Sequence, residues 1–470
     1  MRNATLSRCN PADQDVSSAG VGAFLDVLEA APDIELHSLM LVRRGHVVAE
    51  GWWWPYTPER VHLLYSLSKS FTATAAGLAA AEGLLGFDDP VVSHFPDLAD
   101  GATPRTRSMR VRHLAAMATG HRADTLERAV RADPEEPVRG FLALEPEAEP
   151  GSVFAYNNGA TYTLAALVQR VTGQSLTGYL QPRLFDPLGI AAPYWHQHPH
   201  GREVGFSGLH LTTEAVARFG QLYLDDGVWQ GARLLPEGWV AEASRLHTPN
   251  PEEPNPDWQR GYGYQLWRSR HGYRGDGAYG QFCLVLPDHD AVLVTTAQTQ
   301  NMQGVLDAAW AHLVPALGTA SPEQDEPLAR RLADLRLPLD GPAPAPPADE
   351  AEPPEDIQLS EEAQIRATRL DEHPEGGWRL TLSDGQQDVV VHCGEGTWVQ
   401  NDLKLRDGRQ LAIAAAGTAD DGSLTAQLAF VQTPHRLELR VATQRLTSSG
   451  RWLTVPLHGP SLAELAVGAA

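Results

Sequence analysis

The chain has 470 residues, 42% hydrophobic and 20% charged, with a formal net charge of −22. That length is more than one hydrophobic core of about 100–200 residues accommodates, so two units, or one large and one small, are expected; the composition points to neither a disordered nor a membrane-embedded chain. Acidic residues outnumber basic ones 59 to 37, which argues against nucleic acid as a partner, because phosphate binding needs Lys and Arg gathered on one face.

The N-terminal segment MRNATLSRCNPADQDVSS has no apolar run fit for a signal peptide, and no stretch of about 18 apolar residues occurs later. Cys9, Cys283 and Cys393 are scattered and odd in number, which suggests neither a disulfide framework nor a Cys-rich metal site. A cytoplasmic protein, without contact to a membrane, is the expectation. Next, HSLMLVRRGHVVAEGWWW reads as a β-hairpin with Gly45 at its turn. Trp52, Trp53 and Trp54 close it, a strand end expected to pack against a helix. YSLSKSFTATAAGLAAAEGLLGFDD follows, rich in Ala and Leu, and predicts a buried helix ending near Gly83 or Gly86. Further helices are predicted at GATYTLAALVQRVTG and TTEAVARFGQLYLDDG. Extended segments return at GYGYQLWR, GQFCLVLP and DAVLVTTA, before a helical MQGVLDAAWAHLVPAL.

Strands at both ends with helices between them imply an α/β (α+β) domain over residues 1–318: one antiparallel sheet flanked by helices, with a helical lobe beside it. The cleft between sheet and lobe is where chemistry is expected. Residues 319–357 are rich in Pro, Ala and acids, with GPAPAPPADEAEPPED as the most linker-like portion. Leu328, Leu332 and Leu335 could still form a short helix there. Residues 358–470 carry WRLTL, DVVVHC, TWVQ, LAIAAA, SLTAQLAFV, RLELRVA and RWLTVPL, short strand-like runs that suggest an antiparallel barrel or sandwich. Trp378, Trp398 and Trp452 are read as its core residues.

Ser66 and Lys69 stand three apart at the start of the predicted helix, so their side chains share a face. A serine hydroxyl needs an adjacent base to become a nucleophile. An amine sunk among FTATAAGLAAA can be that base once burial lowers its pKa from about 10.4. The tetrapeptide alone equally suits a helix N-cap serine with a surface lysine; the apolar run after Lys69 favours burial. Tyr156-Asn157-Asn158 lies just before a second helix, where it could reach the pair or simply cap that helix.

Taken together, YSLSK, RHLAAMATGH, YNN, LFDPLGI, GFSGLHLTTEAVARFGQLYLDDGVWQG, GYGYQLW and GDGAYGQFCLVLP resemble, in the expected order over residues 20–318, the serine β-lactamase and DD-peptidase superfamily. The likeness is greatest to its class C-like esterase and amidase branch. The resemblance implies that Ser66 is the acylated nucleophile, Lys69 its base and Tyr156 a proton relay to the leaving group. Asn158 would then bond substrate or Lys69, and Asn157 would be a spacer. The family's third motif, usually Lys-Thr-Gly or its His variant, reads Gly275-Asp276-Gly277-Ala278 here, so the cation for a substrate carboxylate is missing. Arg274 would point to the opposite face, and Asp276 would repel an anion if it lines the cleft. Gly277 and Ala278 keep the backbone role: the N–H groups of Ser66 and Ala278 would form the oxyanion hole, with Gly277 and Gly280 permitting close approach.

The expected function is a serine hydrolase acting through an acyl-enzyme on a small ester or amide, with no cofactor and no metal. A catalytically silent binding module and a true β-lactamase are the alternatives. His196, His198 and His200 in WHQHPHG read as an exposed loop rather than a metal site. His121 is either a helix cap or a cleft residue. Substrate identity, the role of the β domain and the oligomeric state are not legible.

Overall fold

The computed structural model describes residues 5–339, 363–420, 422–442 and 447–468. The Pro-rich run at 341–356 therefore lies outside the described residues. Two compact units are formed by the described residues, and they interleave along the chain. The first comprises the described residues within Met1–Cys9, Leu41–Val48 and Leu64–Val294; the second comprises those within Asn10–Met40, Ala49–Leu63 and Thr295–Ala470.

A seven-stranded sheet has the order Ser7–Arg8, His46–Trp52, Ile34–Arg43, Ala291–Thr299, Gln281–Leu286, Tyr273–Gly277, Trp267–Arg268. Strands from both ends of the hydrolase-like region thus meet in its middle, as the order of predicted elements implied. The edge strand Ser7–Arg8 departs from the expected pattern, pairing in parallel with His46–Val47. Arg44 and Gly45, with φ of 47° and 75°, join the first hairpin in the two-residue left-handed turn that matches strand twist. Of GYGYQLWR only Trp267–Arg268 is strand; positive φ at Gly261 and Gln265 breaks the extended run before it.

Helices cover this sheet because their small residues permit close contact. Gly220, on helix Thr213–Leu224, faces Val292 and Cys283, and an added Cβ would lie 2.6 Å from Val292 Cγ1. Helix Ser68–Ala81 is buried from Ser68 through Ala79, and Phe71 stacks on Phe219 with centroids 4.0 Å apart. Its polar side chains are spent inward: Thr72 donates to the Gly205 carbonyl and Ser70 to that of Gln265.

In the second unit, Trp53 is buried and donates its indole N–H to Glu29 of helix Ser18–Ala30, the strand-end packing expected for the tryptophan run. Leu328 and Leu332 lie on helix Asp325–Ala333, while Leu335 falls beyond it. The C-terminal strands form a nearly closed barrel in the order Arg366–Glu372, Trp378–Ser383, Asp388–Glu395, Gln410–Asp420, Ser423–Phe430, Arg436–Ala442, Thr447–Trp452, with Val399–Lys404 also on Gln410–Asp420. The Ala363 N–H donates to the Gly450 carbonyl, and Ser448 bonds both backbone groups of Ala367, drawing first and last strands together. Leu424, Ala426, Leu428 and Phe430, two apart along their strand, enter its core. Trp398 and Trp452 are buried, and Trp378 packs against the same core.

Candidate active site

Ser66 sits in a single 3-10 turn, Tyr65–Leu67, that runs directly into helix Ser68–Ala81. Tyr65 takes a φ of 48°, an unfavourable conformation for a residue with a Cβ, and such strain gathers at functional sites. Lys69, 1% exposed, directs its ammonium nitrogen to three acceptors: Ser66 Oγ at 3.0 Å, Asn158 Oδ1 at 2.8 Å and the Phe206 carbonyl at 2.7 Å. Burial lowers the Lys69 pKa to about 7, against the opposing pull of Asp124 and Asp276. A group so tuned exchanges protons near neutrality, as a general base must.

Asn158 opens helix Asn158–Thr172, and Asn157 is its N-cap. Asn157 is fully buried, and its Oδ1 accepts from the Ala160 N–H as well as from the Thr125 N–H and hydroxyl. The reading of Asn157 as a spacer is therefore corrected: it ties two helix starts together and so fixes the residues on either side. Tyr156 stacks on Trp267, with centroids 5.7 Å apart and an interplanar angle of 11°. Its ring lies 4.8 Å from Lys69 Nζ, and the Ser66 side chain acts on its phenol against the effect of burial. Burial raises the Tyr156 pKa, so the phenol keeps its proton. Ser66, Lys69, Tyr156 and Asn158 are thus brought into one contact group.

Strand Tyr273–Gly277 lies against the Ser66 turn through its glycines. A Cβ on Gly277 would stand 2.0 Å from the Leu64 carbonyl oxygen, and one on Gly275 would stand 2.3 Å from Leu67 Cδ1 and 2.7 Å from Ser70 Oγ. Position 275, where the resemblance put the family's third-motif cation, faces helix Ser68–Ala81 and has no room for a side chain. Ala278, Tyr279 and Gly280 form the turn into strand Gln281–Leu286, with positive φ at the last two, and Tyr279 meets Tyr65 edge-on at 5.6 Å.

Arg274 and Asp276 share the opposite face and bond each other, Arg274 Nε to Asp276 Oδ2 at 3.0 Å. Arg274, fully buried, also donates to Ser269 Oγ and the Arg268 carbonyl and lies 4.4 Å from the Trp258 ring. Asp276 is thus one half of a buried ion pair. Burial raises the Asp276 pKa while Arg274 opposes this. Sequence reading missed Asp124, the Phe206 carbonyl, Trp267 and this ion pair; only the Asp-Thr-Leu of 124–126, a helix-start signal, could have flagged the first.

His121 is buried, with Nδ1 on the Thr119 hydroxyl and its ring against Phe141. His200 pairs with Glu135 and His198 meets Tyr162. Among the described residues, no three His, Cys, Asp or Glu side chains are grouped to hold a metal ion, and no helix is long and apolar enough to cross a membrane.

A family model described as Beta-lactamase matches residues 26–317. This chain belongs to the Beta-lactamase family. The 6-aminohexanoate-dimer hydrolase of Paenarthrobacter ureafaciens is 27% identical to this family member over 324 residues, 62% of this chain and 81% of the relative. EstCE1, described as a hydrolase with promiscuous acyltransferase activity, shares the fold with a TM-score of 0.52 at 17% identity, over 62% of this chain and 98% of its own. An octameric penicillin-binding protein homologue from Pyrococcus abyssi shares it with a TM-score of 0.50 at 17% identity, over 88% of this chain and 98% of its own. That last coverage extends beyond the family match into the C-terminal strands. Membership places the chain among hydrolases.

Proposed function

We propose that this protein is a serine hydrolase that cleaves a small ester or amide through an acyl-enzyme on Ser66. The observation that carries the reading is the buried Lys69 amine, held 3.0 Å from Ser66 Oγ with its pKa lowered by burial to about 7. Neutral Lys69 takes the Ser66 proton as Oγ bonds the substrate carbonyl carbon. The N–H groups of Ser66 and Ala278 receive the oxyanion. On collapse the carbon–heteroatom bond breaks, and the leaving group departs with a proton delivered through Tyr156. Water then attacks the acyl carbon and gives its proton to the Lys69/Tyr156 pair, which passes a proton to Ser66 Oγ as the acyl–oxygen bond breaks, restoring the free enzyme. The 6-aminohexanoate-dimer hydrolase supports an amide or ester substrate. Gly275, where β-lactam recognition needs a cation, directs the site away from anionic substrates.

A fluorophosphonate probe tests the proposal. Wild-type protein is expected to be labelled and Ser66→Ala to remain unlabelled. Equal labelling of both would remove Ser66 from the mechanism. A screen of esters and amides without a carboxylate, read for a burst of product, separates turnover from a silent binding module.

A further inference from the structure

We infer that Asp124 is a positioning residue that reserves the free electron pair of Lys69 for the Ser66 hydroxyl; the inference rests on the acyl-enzyme reading above. As an ammonium, Lys69 has three N–H donors for its three neighbours: Ser66 Oγ, Asn158 Oδ1 and the Phe206 carbonyl. As a neutral amine it has two donors and one lone pair, so one neighbour must donate. The Phe206 carbonyl has no proton. Asn158 would become a donor if its amide turned over, because Oδ1 and Nδ2 are nearly equal in size.

Asp124 prevents that turn. Its Oδ2 accepts Asn158 Nδ2 at 2.6 Å, and an ionised carboxylate only accepts. A turned amide would set oxygen against oxygen at that separation. The carboxylate is itself held, with Oδ1 accepting the N–H groups of Asn158 at 2.9 Å, Leu126 at 3.0 Å and Gly159 at 3.3 Å. Asn158 Oδ1 therefore always faces Lys69 as an acceptor, and Ser66 is the one partner left to donate to the neutral amine.

The charge of Asp124 acts in the same place. The ionisable groups that bear on Lys69 are Asp124 from the loop before Leu126 and Asp276 from strand Tyr273–Gly277, with Tyr156 beneath the ammonium and Arg274 paired behind Asp276. Both carboxylates support the protonated form against burial. Removing one lowers the proton affinity of Lys69, and an unlocked Asn158 that donates to the amine lowers it further.

The test uses the full chain and the second-order rate of fluorophosphonate labelling per folded molecule, followed from pH 5 to 9 for wild type, Asp124→Asn, Asp124→Ser and Ser66→Ala. Asn and Ser both retain an acceptor for the helix-start N–H groups, so at least one variant is expected to fold. The expected result is an acid limb moved down by about one pH unit and a plateau lowered about ten-fold, part of the 10²–10⁴ of general-base catalysis. Folded Asp124 variants with the wild-type limb and plateau, or a rate loss that tracks only the unfolded fraction, would overturn the role of Asp124. Labelling that survives Ser66→Ala instead overturns the acyl-enzyme reading beneath it.

Discussion

Replacing Gly277 with Ala tests whether backbone contact between strand and Ser66 turn sets the geometry of the site. The new Cβ would stand 2.0 Å from the Leu64 carbonyl oxygen, two residues before Ser66. Carbon–oxygen contacts relax near the van der Waals distance, so strand or turn must yield by about 1 Å. No flexible side chain can absorb the shift, because the obstacle is backbone. Overpacking of this kind costs about 1–3 kcal/mol, and a misplacement of about 1 Å at a reacting group costs about 10²-fold in rate. Gly277→Ala is therefore expected to melt a few degrees lower and to label with fluorophosphonate about 10²-fold more slowly. Gly22→Ala is the matched control: on helix Ser18–Ala30 its Cβ meets nothing within 4 Å, and the change is expected to stabilise by about 0.5–1 kcal/mol with labelling unchanged. A Gly277→Ala protein that melts and labels like wild type would refute the argument.

Lys69→Arg places a permanent cation where a base is needed and is expected to lose about 10²–10⁴ in labelling rate; retention within about three-fold, too small for a general base, counts against Lys69. In wild type the acid limb of labelling is expected near the Lys69 value of about 7, and a limb above pH 9 would refute the burial effect. Gly275→Lys is expected to lower the melting temperature and to leave nitrocefin unhydrolysed, since the side chain would start 2.3 Å from Leu67 Cδ1; a stable variant that turns nitrocefin over would show that the cation can be restored. In the barrel, burial lowers the His435 pKa to about 3, so the fold favours the neutral ring. Stability from this group is complete above the unfolded value of 6.5 and is lost as pH falls toward 3, on the order of 3 kcal/mol by pH 4. Urea melts at pH 7 and pH 4, read through Trp452 beside it, are expected to show that loss in wild type and a smaller one in His435→Asn; equal slopes would exclude His435.

Local signals made much of this legible. Ser66 and Lys69 share a face because a helix turns every 3.6 residues, and the Ala-rich run after them reports burial because its few polar side chains, Ser70, Thr72 and Thr74, are small and bond backbone carbonyls. The strands of the barrel from Trp378 onward announce themselves by turn-bounded apolar runs. Arg366–Glu372 escaped because RATRLDE is mostly polar, and only Ala367 is buried. Asp124 could not be assigned to the site from sequence, since its partner Asn158 lies 34 residues away, across two short helices, Leu126–Ala132 and Pro137–Ala143. The Phe206 carbonyl was beyond reach for a simpler reason: a backbone acceptor has no residue signature. Asn157 looked idle because a cap and a spacer are the same letter until the helix start is placed.

At the stretch read as the third motif, geometry adds what pattern alone could not. From sequence, Gly275 is a lost cation and Asp276 a hostile charge. In the structure the two positions answer to opposite faces of one strand. Gly275 and Gly277 lie against the Ser66 turn, where any side chain would displace Leu67 or the Leu64 carbonyl; glycine there is a condition of closeness. On the other face Arg274 closes on Asp276, Ser269 and the Arg268 carbonyl, so neither charge of the pair stands alone. A cation at 275 and this close approach exclude each other, and a strand that presses its backbone against the serine turn has to leave the recognition of charge to other walls of the site.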